Sequence, residues 1–225
     1  MKKENKIYRY VGVAFLLQFI TSISSGVILR PLWFVEGNIT ATMINISNQP
    51  LLMHFNIFLD MLTAMGIIFL GAALYMALRK QNEIMALVGF GFYLLEGILL
   101  AGSRIVMFTL LETSQNFVAT GQPANMQWIG NLVFESMEFA GSILPMLAFS
   151  IGAILFYYLL YKSKVIPRAL SLWGLIAVIP CLIGTVSHLF GYALPFMIYF
   201  PYVPFELVVG IWITIKGLSR QSETH

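Results

Sequence analysis

Apolar residues in this chain do not alternate with polar ones, nor do they recur only on a narrow helical stripe. They continue for twenty positions or more, six times over: 10–29, 51–78, 84–111, 129–161, 166–190 and 196–215. A helix needs about 20 mostly apolar residues to cross a hydrocarbon layer roughly 30 Å thick. Inside that layer a helix satisfies its own backbone hydrogen bonds. The breaks carry turn chemistry: Arg79-Lys80-Gln81-Asn82 after the second run, and Gly121 and Pro123 after the third. The pattern predicts an all-α polytopic membrane protein, a bundle of six transmembrane helices, with residues 1–225 forming one integral membrane domain. Lys2, Lys3, Lys6 and Arg9 before the first run imitate a signal peptide. The run is longer than the 7–15 residues of a cleavable apolar core, so it reads as an uncleaved first span.

Composition agrees. Hydrophobic residues make up 59% and charged residues 10%, against about 25% charged in a soluble domain. The net charge of +3 does not indicate a nucleic-acid partner, because the basic residues form no patch interleaved with aromatics. They lie in short clusters between the apolar runs. Eleven of the thirteen fall on one side: Lys2, Lys3, Lys6, Arg9, Arg79, Lys80, Lys162, Lys164, Arg168, Lys216 and Arg220. Basic loops stay in the cytoplasm, which predicts cytoplasmic N- and C-termini, with the lipid bilayer as partner. Arg30 and Arg104 are the exceptions. The single cysteine, Cys181, excludes an intrachain disulfide and a Cys-rich metal site.

The polar residues inside the runs carry the functional signal. Residues at i, i+4 and i+7 share a helix face. Such stripes occur in every span: Gln18, Ser22 and Ser25; Asn56, Asp60 and Thr63; Tyr93, Glu96 and Ser103 beside Arg104; Asn131, Glu135, Glu138 and Ser142; Cys181, Thr185 and His188; Tyr199, Tyr202 and Glu206. A charge at the bilayer centre costs about 2.5–3.5 kcal/mol on insertion scales, so the stripes are predicted to face one another. Small residues such as Gly89, Gly91 and Gly97 read as points of close helix packing.

Height above the basic anchors follows at about 1.5 Å per residue: roughly 15 Å for Glu206, 20 Å for Glu96, 28 Å for Asp60, 30 Å for His188, 32 Å for Arg104, 36 Å for Glu138 and 40 Å for Glu135. This ladder predicts an outward-open acidic vestibule. Glu96 and Glu206 form the deep site, while Asp60, Arg104, Glu135, Glu138, Asn56 and Tyr202 line the way to it. Arg104 is too far along its helix from Glu96 to pair with it, so its expected partner is Glu135 or Glu138. The remaining carboxyls need a proton, a cation or water, and burial favours their neutral form, as a proton relay requires. Pro145, Pro180, Pro201 and Pro204 fall inside spans and are predicted to interrupt them.

Three functions fit these residues. The first is binding or transport of a small cationic or proton-coupled solute or ion. The second is a membrane-embedded metal-dependent hydrolase using His54, His188 and a carboxylate, since two imidazoles and one carboxylate form a known zinc set. The third is a non-enzymatic sensor or immunity-type protein whose polar core serves only helix association. No HExxH, Gly-x-Ser-x-Gly or phosphate-loop motif is present. The reading therefore leans away from an enzyme, and no cofactor is implied.

Two stretches carry a resemblance. LLYKSKVIPRALSLWGLI spans the fourth-to-fifth connection, and PFELVVGIWITIKGL ends the sixth run. With Lys164, Pro167 and Arg168, then Glu206, Trp212 and Lys216-Gly217, the chain resembles a bacterial family of six-span membrane proteins known as domain of unknown function 4386. The resemblance implies the six-helix fold and a bacterial inner membrane. It brings no substrate and no catalytic residue.

Overall fold

The computed structural model describes residues 2–192 and 194–216, with side chains from Arg9 onward except that of Phe196. Gly217 of the family stretch and Arg220 of the topology signal lie outside the described residues.

Among the described residues six helices are long and apolar enough to cross a membrane. Helix α1 (Lys2–Ile23) passes through a π-helical turn, Ser24–Leu29, into the short α2 (Arg30–Trp33). Helix α3 (Ile39–Asn48) follows, then α4 (Pro50–Leu78) and α5 (Glu83–Ala119). Helix α6 (Ala124–Glu138) passes through a second π-helical turn, Phe139–Ile143, into α7 (Leu144–Ser163). Helix α8 (Arg168–Leu189), a 3₁₀ turn at Phe196–Tyr199 and α9 (Tyr202–Lys216) complete the chain. The membrane candidates are Arg9–Trp33, α4, α5, Ala124–Ser163, α8 and Met197–Lys216. The protein is an all-α, multi-pass membrane protein.

Two spans outrun the bilayer. Helix α5 has 37 residues and Ala124–Ser163 has 40, roughly 55 and 60 Å at 1.5 Å per residue. The apolar run ends at Leu111, yet α5 continues to Ala119 through Glu112-Thr113-Ser114-Gln115-Asn116. Ser114 and Phe117 stay buried while Glu112 and Asn116 face outward. Apolar length marks where the membrane ends; the helix ends where packing ends. Helix α3 packs against α5. It is too short and too polar to register as a span. Its local signal is Asn38, whose Oδ1 accepts the Ala41 N–H at 2.9 Å. Its buried face is Thr42, Met43 and Ile46.

Both π-helical turns stand immediately before a proline one residue into the next helix, Pro31 and Pro145. A proline ring clashes with the carbonyl four residues earlier and lacks an N–H for it. Those carbonyls belong to Val27 and Gly141, each inside a π turn. Widening the helix there moves the carbonyl away from the ring. Pro180 stays within α8. The sixth span breaks before Tyr202, next to Pro201.

Two apolar cores result. One, built from α1, α4, α5, α7, α8 and α9, holds Phe15, Leu74, Tyr93, Phe156, Tyr157 and Phe205. The other, under α3, holds Trp33, Ile46, Met53, Met107, Leu110 and Met137. Helices α4 and α5 close on each other at Gly97, where a methyl group would sit 3.0 Å from the Ala64 carbonyl oxygen. Gly91, by contrast, faces open space.

Candidate functional site

The two π-helical turns face each other across a cleft of about 170 Å³. Ser22, Ser25, Gly26 and Arg30 line it from the first span, and Glu138, Gly141 and Ser142 from the fourth. Asn56, Asp60 and Thr63 of α4 and Leu100, Arg104 and Met107 of α5 form the remaining wall, with Trp33 and Met137. Most of the polar groups come from the stripes that the sequence marks.

A continuous polar network crosses this wall. The Arg104 guanidinium pairs with Asp60 Oδ2, and Ser25 donates its hydroxyl hydrogen to Asp60 Oδ1. Asn56 Nδ2 donates to Ser25 Oγ at 2.6 Å and to Asp60 Oδ2 at 3.3 Å. Trp33 Nε1 donates to Asn56 Oδ1 at 2.9 Å. Arg104 also donates from Nη2 to Ser103 Oγ at 2.8 Å. The Asp60 and Arg104 side chains are 10% and 12% exposed, so this pair is largely withdrawn from solvent. The second pair is wetter. Arg30 grips Glu138 with two parallel bonds of 2.7 and 3.0 Å, and their side chains are about 30% exposed. The Arg30 guanidinium also lies 4.5 Å from the Phe34 ring centre, a cation–π contact. One pair ties α4 to α5; the other ties the first span to the fourth.

Gly141 makes the first pair possible. A methyl group there would strike Arg104 Nη2 and stand 2.8 Å from Ser103 Oγ. Gly141→Ala is therefore expected to push the guanidinium off Ser103 or α6–α7 off α5. The expected loss is about 1–3 kcal/mol, the usual cost of overpacking, checked by unfolding the variant in mixed micelles.

A second polar locus lies deeper. Glu96 and Glu206 are each 7% exposed, and Glu96 Oε2, Glu206 Oε1, Tyr93 Oη and Gln18 Oε1 have no hydrogen-bonding partner among the described residues. Glu206 is near enough for its charge to act on Glu96, Tyr157, Tyr202 and Cys181. Tyr157 and Tyr202 share a hydrogen bond of 2.6 Å between their hydroxyls. Aromatic rings enclose the site: Phe149 and Tyr202 meet edge to face at 4.8 Å, Tyr93 and Phe156 at 5.2 Å.

The model of the family described as Domain of unknown function (DUF4386) matches residues 10–217. The chain belongs to the DUF4386 family. No curated protein and no solved structure gives a significant match.

For this DUF4386 protein several sequence expectations need correction. Arg104 pairs with Asp60 rather than with Glu135 or Glu138, and Glu138 is taken by Arg30. The reason is rotation along the fourth span: Glu135 stands on the exposed face and accepts only from Asn131 of its own helix, at 2.7 Å. Ser142 is exposed too, although it lines the cleft. Arg30 lines the cleft without belonging to any of the polar stripes. The helix continues past Ile23 through a π turn, carrying Arg30 beside Glu138.

The single vestibule is also corrected. Asp60, Arg104, Glu138 and Asn56 line the cleft; Glu96, Glu206 and Tyr202 do not. Leu100, one helical turn from Glu96 on α5, forms part of the cleft wall between the two loci. Nor are the cleft's fixed charges net acidic, since two arginines balance two carboxylates. The histidines are not brought together. His54 and His188 are exposed, His54 lying 6.3 Å from the Phe108 ring. Among the described residues no group of three metal-ligating side chains is gathered.

Proposed function

We propose that this protein binds a small zwitterionic or uncharged polar solute in the cleft between the two π-helical turns, as one step of its movement across a bacterial inner membrane. The observation that carries the reading is the cleft itself. Close packing fills protein interiors, and π-helical turns cluster at functional sites. About 170 Å³ of polar-lined space between two of them is well above the roughly 15 Å³ that a single water needs. Asp60 and Glu138 have all four carboxylate oxygens engaged. A bare cation would have to displace an arginine, whereas a solute carrying both charges, or neither, meets balanced walls.

With the end rich in Lys and Arg taken as cytoplasmic, the cleft opens outward. Glu96 and Glu206 lie beneath it as two carboxyls that can exchange protons. An unpaired charge in an apolar interior is costly, so each carboxyl rests in its neutral form.

A thermal-shift series on the purified protein tests the binding step, using glycine, alanine, betaine and glycerol as probes. A solute at about 100 times its Kd stabilises by roughly 2.7 kcal/mol, or about 5–10 °C for a chain of this size. Gly26→Leu is expected to abolish that shift. Gly26 lines the cleft, and a Cβ there meets nothing within 4 Å, so the side chain fills open space. No shift with any probe, or a shift that survives Gly26→Leu, would leave helix association as the role of the network.

A further inference from the structure

At the end of the bundle away from the cleft, the α7–α8 connection and α9 enclose an open groove of about 350 Å³. Lys164, Ile166, Pro167, Arg168 and Trp212 line it. These are largely the residues that carry the family resemblance, and neither the cleft nor the carboxyl pair uses them.

Two cations and one indole line the groove, and among the described residues that line it none is acidic. Lys164 holds φ 56° and ψ 22°, the left-handed region. Glycine adopts that conformation freely, and a residue with a Cβ does so under strain. The position just after a helix is where glycine is favoured. A lysine here supplies an ammonium group at the expense of backbone comfort. Arg168 is held differently, with its guanidinium 5.5 Å from the Tyr161 ring centre. Stacking occupies the face of the guanidinium and leaves its N–H edge for an anion. The start of α8 adds partial positive charge of the same sign, and its N-cap residue, Pro167, has no side-chain acceptor. Both spans leave the bilayer at this connection, which puts the groove at headgroup level. Trp212 suits that level, because indoles favour the interface.

We propose that this groove binds a phosphate-bearing anion, in the bilayer the headgroup of an anionic phospholipid with an acyl chain along the half-buried Trp212. Lys164 meets the phosphate as a point charge and Arg168 as a planar fork.

The full chain, delipidated in detergent, is titrated with phosphatidylglycerol and with phosphatidylcholine of the same acyl chains, and bound lipid is read by native mass spectrometry. Phosphatidylglycerol is expected to bind about tenfold more tightly or better, with each cation removed costing about fivefold. Arg168→Gln shows that loss, and Lys80→Gln, at the same end but outside the groove, does not. Lys164→Gly separates binding from folding. Glycine fits the left-handed backbone, so the variant unfolds no earlier than wild type yet binds the lipid more weakly. Inorganic phosphate is the second probe. If millimolar phosphate competes with the lipid, the headgroup phosphate is what the groove reads; if phosphate binds and the lipid shows no preference, the occupant is a soluble phosphate. Equal binding of both lipids with no phosphate binding overturns the proposal, as does wild-type affinity in both Lys164→Gly and Arg168→Gln.

Discussion

Asp60→Ala is expected to destabilise the protein by about 3–5 kcal/mol, the loss seen when one partner of a buried pair is removed. The carboxylate gathers three donors from three helices: Ser25 from the first span, Asn56 from α4 itself and Arg104 from α5. Removing it leaves the Arg104 guanidinium, 12% exposed, with Ser103 Oγ and Met107 Sδ as its remaining contacts. Neither carries charge. Asp60→Asn keeps the shape and one acceptor and should cost less. The double change Asp60→Ala with Arg104→Met should recover much of the loss, because an apolar pair avoids desolvating either charge. Unfolding in mixed micelles measures all three. A loss under about 1 kcal/mol for Asp60→Ala would mean that water already carries the Arg104 charge, as it does for exposed pairs.

The same comparison should not hold for the second pair. Arg30 and Glu138 are 29% and 30% exposed against 12% and 10% for Arg104 and Asp60, so breaking their pair strands a charge that water can reach. The two pairs thus divide the labour, one tying α4 to α5 and the other joining two helices at a point where both are widened.

Much of the fold was legible because apolar length is a strong signal. The six spans, the α4–α5 turn and the inward stripes of the second and third spans follow from lipid exclusion alone. Height was legible as well: the residue ladder put Asp60 and Arg104 within about 4 Å of each other. Rotation was not. A stripe fixes the angle of a side chain only while the helix keeps 3.6 residues per turn, and a π turn resets that angle. Glu135 and Glu138 lie just before one such turn, and Arg30 just after the other. These are the residues whose partners were assigned wrongly or overlooked. The cue was present as Pro31 and Pro145, but a proline can also be met with a kink, and sequence does not say which. Helix α3 was missed because the span criterion asks for length, and ten residues fall short of it.

Glu96 and Glu206 support the other large expectation, in a proton-flux measurement. Reconstituted into liposomes under an imposed pH gradient, wild type is expected to move protons with its solute, and Glu96→Gln and Glu206→Gln each to remove most of that flux, because intramembrane carboxyls serve as proton relays. Glutamine copies the size and hydrogen-bonding capacity of a neutral acid but holds no transferable proton. The substitutions should therefore leave folding within about 1 kcal/mol of wild type, since volume-conserving changes are tolerated best. That second readout decides the charge state. If either carboxyl were ionised in its apolar surroundings, with one oxygen unpartnered, glutamine would relieve a desolvated charge and raise stability by several kcal/mol. The two carboxyls belong to one locus, with Glu206 near enough for its charge to act on Glu96. A relay built this way passes one charge at a time, and the double variant should be no more impaired than either single one. Unchanged proton movement in both single variants would remove the carboxyls from the mechanism and leave the cleft to act alone.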